Sequence, residues 1–399
     1  MAFPFKSLED FKIEFEPRHD ELRIKARRFA EAELKPKLFR IERTGKIPKE
    51  LIKKAGAEGF LGIGMPEIYG GIEGDLRDLA IVIEEIARIS PAFGLTILVT
   101  YLFTTPILLH GTEEQKKLLK RIVCGESYAC HAATEPVGGS DLSGIRSIAR
   151  KVEGGWILRG HKRLISGADW ADYLLVLARA LDGSAEKRSK NLTFFIVEKG
   201  SKGLRIVPEK CVGVRGLSVG QIIMRDVYVP DSNVLGEIGQ GLKIALETYS
   251  RMRVGAAAIA VGIIQSSLEA SLRYSLRRKA FGKSIIGFQA NQFKIVDVLC
   301  KLMAARLVLY WAANISKHSP RDLPIASSMA KLYSSEAAED SAVKAIEIHG
   351  GLGVLVDTLI ERFLRDSEIV KMIEGTGEIQ RIIIFRELLK RMEMLKDYY

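Results

Sequence analysis

Residues 156–160 (WILRG), 173–180 (YLLVLARA), 192–199 (LTFFIVEK) and 221–230 (QIIMRDVYVP) decide the fold. Each is a short run rich in Ile, Val, Leu and Phe. Gly, Asp, Ser and Pro separate the runs, which is the punctuation of a β-sheet. This texture extends from about Ser127 to Val234. Within it DGSAEKRSKN (182–191) reads as an exposed hairpin loop with no chemistry of its own.

On both sides of this block the period becomes helical. From about Asp20 to Val123, Leu76, Leu79, Ile83 and Ile86 recur at three- and four-residue spacing, and GTEEQKKLL (111–119) opens with a cap followed by acidic residues. From Gly239 onward, long segments at 239–278, 288–317, 324–349 and 377–396 are helical. In the last, Ile382, Phe385, Leu389 and Met392 mark one apolar face. Short connections between long helices suggest an antiparallel bundle. The expected fold is therefore α+β and multidomain: an N-terminal α-helical domain (1–125), a middle β-sheet domain (126–235) and a C-terminal antiparallel helix bundle (236–399). A doubly wound nucleotide fold is disfavoured, because βα alternation is missing and no GxGxxG follows a strand.

Composition agrees with a large globular protein. The chain has 399 residues, 47% of them hydrophobic and 27% charged, enough for two or three domains. The net charge of +11 could serve nucleic acid, an acidic partner or an anionic cofactor, but basic and acidic residues interleave along the helices, and no basic segment carries interleaved stacking aromatics. We expect no nucleic-acid partner. Cys124, Cys130, Cys211 and Cys300 match neither a CxxC pair nor a disulfide framework, and the six histidines are scattered, so no metal site is expected. Lys6, Glu9, Asp10 and Lys12 interrupt the amino terminus before any long apolar run, and a cytoplasmic location is expected. The uncharged stretch Ile89 to Thr112 contains Pro91, Gly94 and Pro106 and reads as a buried core helix, without membrane insertion.

Four segments carry chemistry. ATEPVGGSD (133–141) is a loop whose glycines and proline leave amide and hydroxyl donors free; RRKAFGKSIIGFQ (277–289) combines guanidinium groups with aromatics; EIHGGLGV (347–354) lets backbone approach a ligand; IEGTGEIQR (373–381) places a carboxylate where a loop enters a helix. In this order they resemble the acyl-CoA dehydrogenase family, over nearly the whole chain. The resemblance implies FAD as cofactor and α,β-dehydrogenation of an acyl-CoA thioester to a trans-2-enoyl-CoA, with Glu374 removing the α-proton and the β-hydride going to flavin N5. A base for so weak an acid needs its pKa lifted toward neutrality, and a buried Glu meets that demand.

The resemblance further implies flavin contacts at His131, Ala133, Thr134, Ser140, Thr376 and Glu378. Leu164, Ile165 and Ser166, in KRLISGADWADYLLVLAR (162–179), take the positions of a ring-covering residue and a hydroxyl beside N5. Arg278, Phe281, Gln289, Glu347, Gly350 and Gly351 take positions that meet the pyrophosphate and adenosine of a neighbouring subunit's flavin. Glu347 stands where the family usually has glutamine, so its charge must turn away from phosphate or meet a cation. For His349 a packed interior role is expected. Substrate contacts are implied at Ser140, Arg253 and Gly375. Arg253 orients the Glu374 loop, touches substrate, or makes a surface salt bridge. Gly94 and Leu98, in SPAFGLTILVTYLF (90–103), line the expected acyl tunnel or serve helix packing; a tunnel role would favour straight medium to long chains. The implied partners are acyl-CoA, an electron-transferring flavoprotein, and three further copies in a homotetramer. An oxygen-using acyl-CoA oxidase and a non-catalytic flavin-binding protein on the same scaffold remain alternatives.

Overall fold

The structure, a computed structural model, describes residues 15–181 and 191–396, so the expected hairpin loop at 182–191 lies outside the described residues except for Asn191. Six helices come first: α1 (Pro17–Phe29), α2 (Leu38–Thr44), α3 (Lys49–Ala57), α4 (Leu76–Ile89), α5 (Pro91–His110) and α6 (Glu113–Val123). Their starts are written in local chemistry. Asp75 accepts from the Arg77 amide while Asp78 accepts from the Asp75 amide, and Thr112 and Gln115 make the same reciprocal exchange before α6. Ser90 caps α5 ahead of Pro91, a residue whose missing N–H is harmless in a first turn.

Eight strands follow: β1 (Ala129–Ala132), β2 (Ile148–Val152), β3 (Gly155–Ser166), β4 (Tyr173–Leu181), β5 (Leu192–Glu198), β6 (Leu204–Glu209), β7 (Val219–Pro230) and β8 (Val234–Leu235). The sheet runs β6-β7-β3-β2-β4-β5-β8. β1 and β2 both pair in parallel with β4, β1 beside Tyr173 to Val176 and β2 beside Arg179 to Leu181. The chain between them, 133–147, therefore leaves the sheet and returns further along the same neighbour. That excursion contains the Gly-rich ATEPVGGSD loop.

The last block contains α7 (Gly241–Arg277), a two-stranded hairpin of β9 (Lys279–Ala280) and β10 (Lys283–Ser284), then α8 (Gln289–His318), α9 (Leu323–His349), α10 (Glu361–Met372) and α11 (Gly377–Lys396). Among the described residues α5 and α7 are long and apolar enough to cross a membrane, but 83% and 94% of their most apolar windows are buried inside the chain, as core helices. Buried charges tie the blocks together. Glu84 and Glu85 of α4 are fully buried, and Arg23 and Arg27 of α1 and Arg306 of α8 reach them. On α11, Ile382, Phe385, Leu389 and Met392 are all exposed, so the expected apolar face points away from the chain's own core.

Candidate active site

The connection between α10 and α11 is four residues long, and two of them are in left-handed backbone: Glu374 at φ 54° and Gly375 at φ 95°. A non-glycine residue there is strained, and strain persists only where the surroundings impose it. At Gly375 a side chain would be strained at this φ, and its Cβ would lie 2.8 Å from Gln380 Nε2, displacing the amide that holds the turn. Three buried side chains hold the turn. Gln380 Nε2 donates to the carbonyls of Glu374 (3.0 Å) and Gly375 (2.8 Å), Arg253 Nε donates to the Glu374 carbonyl (3.4 Å), and Lys331 Nζ donates to the carbonyls of Lys371 (2.7 Å) and Gly375 (2.8 Å). The backbone is thus satisfied from one side. The carboxylate is not: Glu374 Oε2 is inaccessible and has no hydrogen-bond partner.

Burial pushes the Glu374 carboxyl up to about 7, against the opposing pull of the Arg253 and Lys331 charges. A group titrating there can both take and return a proton at neutral pH. Arg253 is itself buried, which lowers its pKa, so it is no surface ion-pairing residue. It is a support of the Glu374 loop. Thr376 immediately precedes α11 and its hydroxyl hydrogen-bonds the Glu378 side chain.

Next to this turn, one helical turn before Arg253 on α7, lies Tyr249. Its hydroxyl is 2.8 Å from His131 Nε2, which joins β1 to the bundle. Desolvation brings the His131 pKa down to about 4, so the ring is neutral. Below, Lys162 of β3 is wholly buried and donates to Ala133 O (3.0 Å) and Glu135 (2.8 Å); Glu135 also accepts from the amides of Arg146 (2.6 Å) and Ser147 (2.9 Å). This buried pair pins both ends of the 133–147 excursion. Burial brings Lys162 down to about 8, with Glu135 opposing the shift.

The register of β3 against β7 slips between Lys162 and Ile165, and Leu164 stands at φ 58° in the gap. Leu164 is consequently 63% exposed while Ile165 is 2% exposed. Within the expected ring-contacting triplet Leu164 and the half-buried Ser166 face outward, whereas the Ile165 side chain belongs to the core. Thr134 is half-buried and Ser140 exposed. An apolar leucine surface flanked by hydroxyls, with an orphaned carboxylate oxygen at the adjoining turn, fits a flavin ring and a thioester.

A second group of expected residues lies elsewhere. Arg278 follows α7, Gln289 begins α8, and Glu347, Gly350 and Gly351 sit at the end of α9. From Arg253 to Arg278 along α7 is about 37 Å at 1.5 Å per residue. Gly350 is left-handed at φ 58°, and nothing lies within 4 Å of a Cβ built there or at Gly351, so this backbone is open to a ligand. Phe281 is 96% exposed at the hairpin tip. Glu347 meets a cation, Lys294, at 2.7 Å. His349 is an interior residue: Nδ1 lies 2.7 Å from Ala345 O, and its ring stacks on Tyr274.

For Gly94 and Leu98 the structure gives packing neighbours. A Cβ at Gly94 would lie 3.1 Å from Ala87 Cβ, and Leu98 fills the space left by Gly255. Both positions serve close helix packing. Lys331, Gln380, Lys162 and Tyr249 were not singled out by sequence. A separate gathering of His19, Asp75 and Asp78 is neutralised by the chain itself, since Arg18 bonds Asp78 (2.8 Å) and Arg77 bonds Asp75 (2.7 Å).

Family models for the N-terminal, middle and C-terminal domains of acyl-CoA dehydrogenases match residues 16–126, 130–227 and 239–389. The chain is 38% identical over 382 residues to 3-(aryl)acrylate reductase of Clostridium sporogenes, covering 94% of this chain and 100% of that protein. It is 35% identical over 381 residues to the caffeyl-CoA reductase–Etf complex subunit CarC of Acetobacterium woodii, covering 94% and 100%. Butyryl-CoA dehydrogenase from Megasphaera elsdenii has the same fold, with a TM-score of 0.90 at 31% identity over 95% of this chain and 100% of that one. Matches of this extent, to all three domains in order, mean that the chain belongs to the acyl-CoA dehydrogenase family of oxidoreductases.

Proposed function

We propose that this protein interconverts an acyl-CoA thioester and its trans-2-enoyl counterpart, with Glu374 as the proton-transfer group and FAD as cofactor. One observation carries the reading. Glu374 is the carboxylate whose own carbonyl is bound by Arg253 and Gln380, and whose neighbour Gly375 is bound by Lys331, while its Oε2 has no partner and its pKa stands near 7. Bound flavin supplies the hydride acceptor. In the dehydrogenation direction ionised Glu374 takes the α-proton, and the Glu374 amide donates to the thioester oxygen as negative charge develops there. Leu164, Ser166 and Thr134 offer the flavin-facing surface, and Ser140 lies on the exposed part of the loop.

The far cluster of Arg278, Phe281, Gln289, Gly350 and Gly351 is separated by about 37 Å of helix from Arg253, too far for one flavin to bridge within a chain. We assign it to the flavin of a second copy in a homotetramer. The exposed α11 face and the α8 stripe Phe293, Val296, Leu299, Met303 and Leu307 offer apolar surface for that assembly. Electron-transferring flavoprotein is the proposed electron partner, as CarC belongs to a reductase–Etf complex.

A second reading runs the same residues backward, as an enoyl- or arylacryloyl-thioester reductase. Two relatives carry reductase names, and a Glu374 that is half protonated near neutrality can deliver a proton to the α-carbon as readily as accept one. Because Gly94 is occupied by helix packing, nothing at that position distinguishes long chains from short. Anaerobic titration with saturated acyl-CoAs of graded length should bleach the flavin. If none does, and chemically reduced protein is instead reoxidised by an arylacryloyl-CoA, the reductase direction is the working one; failure of both overturns the proposal.

A further inference from the structure

We propose that Lys331 is a positioning residue for α-proton transfer: its ammonium ties the end of α10 to the Glu374 turn through the Lys371 and Gly375 carbonyls, and so fixes where the Glu374 carboxylate sits. The inference rests on Glu374 being the base. Lys331 lies in the middle of α9, on a face whose neighbours at helical spacing are Ser327, Ser334 and Ala338, buried and small. Small side chains let α7 and α10 approach closely, which leaves the lysine no route to solvent. Burying an ammonium is costly unless its hydrogen bonds are made.

It makes them with carbonyls and not with a carboxylate: Lys371 O at 2.7 Å and Gly375 O at 2.8 Å. Those two oxygens flank Glu374 on either side in sequence. A helix C-terminus leaves its last carbonyls unpaired and partially negative, so a cation placed there is favourable. Here the same cation also closes the loop, by joining the last turn of α10 to the residue after the base. Of the two left-handed residues, Glu374 lies between these anchor points and Gly375 is one of them.

The ammonium acts on charge as well as on position. Its surroundings are Glu374 on the turn, Arg253 on α7, Glu378 on α11 and Glu336 on its own helix, and burial brings it down to about 8. The Lys371 side chain points elsewhere, to Glu339 (2.7 Å) and Glu368 (3.2 Å). Removing the Lys331 charge therefore leaves Arg253 as the chief cation opposing the upward shift of Glu374. The carboxyl should become harder to ionise.

The test compares Lys331→Met and Lys331→Gln with the parent holoenzyme, reading exchange of acyl-CoA α-hydrogens into deuterium oxide, kcat, KM, the pH profile and flavin content. For Lys331→Met, α-exchange and kcat should fall about tenfold to a hundredfold, with KM changed less than about threefold and flavin retained. The acid limb of the pH profile should move up by about half a unit or more. Lys331→Gln, which keeps an amide donor but no charge, should recover part of the rate and keep the displaced limb. If Lys331→Met does not fold, Lys331→Gln carries the comparison. Rates that fall only in proportion to lost flavin or lost folded protein, with the limb unmoved, would overturn the proposal. Exchange that persists in Glu374→Gln would instead overturn the base assignment.

Discussion

The two ends of α7 solve opposite problems. Near Arg253 the helix faces a turn whose carbonyls are bonded by three buried side chains, while the carboxylate oxygen Oε2 of Glu374 is left without a partner. Near Arg278 it runs into a hairpin that displays a phenylalanine to solvent beside glycines with empty space around them. Both ends carry non-glycine residues in left-handed backbone, Glu374 and Phe281. At the first the strain is imposed from within the chain. At the second, among the described residues, the one that bears it meets only the edge of Phe288 and stays 96% exposed. On the proposed function, the difference separates a preorganised reaction centre from a surface that a second copy completes.

The sharpest way to break this comparison is at Glu374. Glu374→Gln should lower the rate of flavin reduction by about a thousandfold or more, within the range for loss of a general base, while flavin absorbance is retained. Stability should move the other way. Burial raises the folded-state pKa from 4.5 to about 7, so the folded protein binds the proton more tightly than the unfolded chain does. That contribution is fully present below pH 4.5 and is lost as pH rises through 7. The neutral amide escapes the loss. Denaturation at pH 8 should find Glu374→Gln more stable than the parent by about 1–3 kcal/mol, with the difference vanishing near pH 4.5. A variant less stable at both pH values would mean that the carboxylate is satisfied in a way the geometry does not show.

What the sequence disclosed follows the same division. The order of helical, β and helical blocks was legible because hydrophobic period is a local property, and Glu374 was legible because its glycine-bounded segment is distinctive. The supports of Glu374 were not. Lys331 sits in SSMAKLYSS, where a lysine reads as solvent-facing; the signal against that reading was the row of Ser and Ala at helical spacing, which marks close packing on the same face. Lys162 escaped for a related reason: strand alternation puts it on the face of Trp156 and Leu158, but the carboxylate that makes burial of its charge tolerable, Glu135, lies 27 residues earlier in the chain. Gly94 shows why two roles stayed open. A missing side chain can signal room for a ligand or room for another helix, and only the neighbour, Ala87, decides.

The support beneath the flavin loop offers the next largest effect. Lys162 and Glu135 are both buried, and removing one leaves the other charge unpaired. Lys162→Met should destabilise the protein by about 3–5 kcal/mol in chemical denaturation, whereas replacing both residues with apolar ones of similar volume should recover much of that. If the single substitution costs less than about 1 kcal/mol, water reaches Glu135 and the loop is not pinned by this pair.

At the far end the effects should appear in assembly and not in the chain. Phe281 (φ 50°) and Gly282 (φ 78°) are the central residues of a two-residue hairpin, a turn for which Asn-Gly is favoured. Phe281→Asn should therefore leave stability unchanged or raise it by about 0.5–1 kcal/mol, and still weaken flavin retention on dilution by about tenfold, as expected when an aromatic contact with the cofactor is lost. Equal flavin retention, measured by fluorescence of released flavin, would show that the exposed phenylalanine serves something other than a second copy's cofactor.

The smallest effect is expected at Glu347, and it sharpens the comparison most finely. A carboxylate beside an open glycine pair should repel phosphate, but Lys294 meets it at 2.7 Å with both side chains partly exposed, 33% and 48%. Exposed pairs of this kind contribute about 0–1 kcal/mol and are screened by salt. Glu347→Gln should then change unfolding free energy by less than about 0.5 kcal/mol and flavin affinity by less than about threefold, because the charge it removes is already compensated and Lys294, once freed, gains what the carboxylate lost. Lys294→Met is the informative partner. It leaves Glu347 uncompensated beside the glycines, and flavin affinity should fall more than in Glu347→Gln, most clearly at low ionic strength. If Glu347→Gln instead tightens flavin by more than tenfold, the carboxylate faces phosphate in the assembled protein and the Lys294 pair does not persist there.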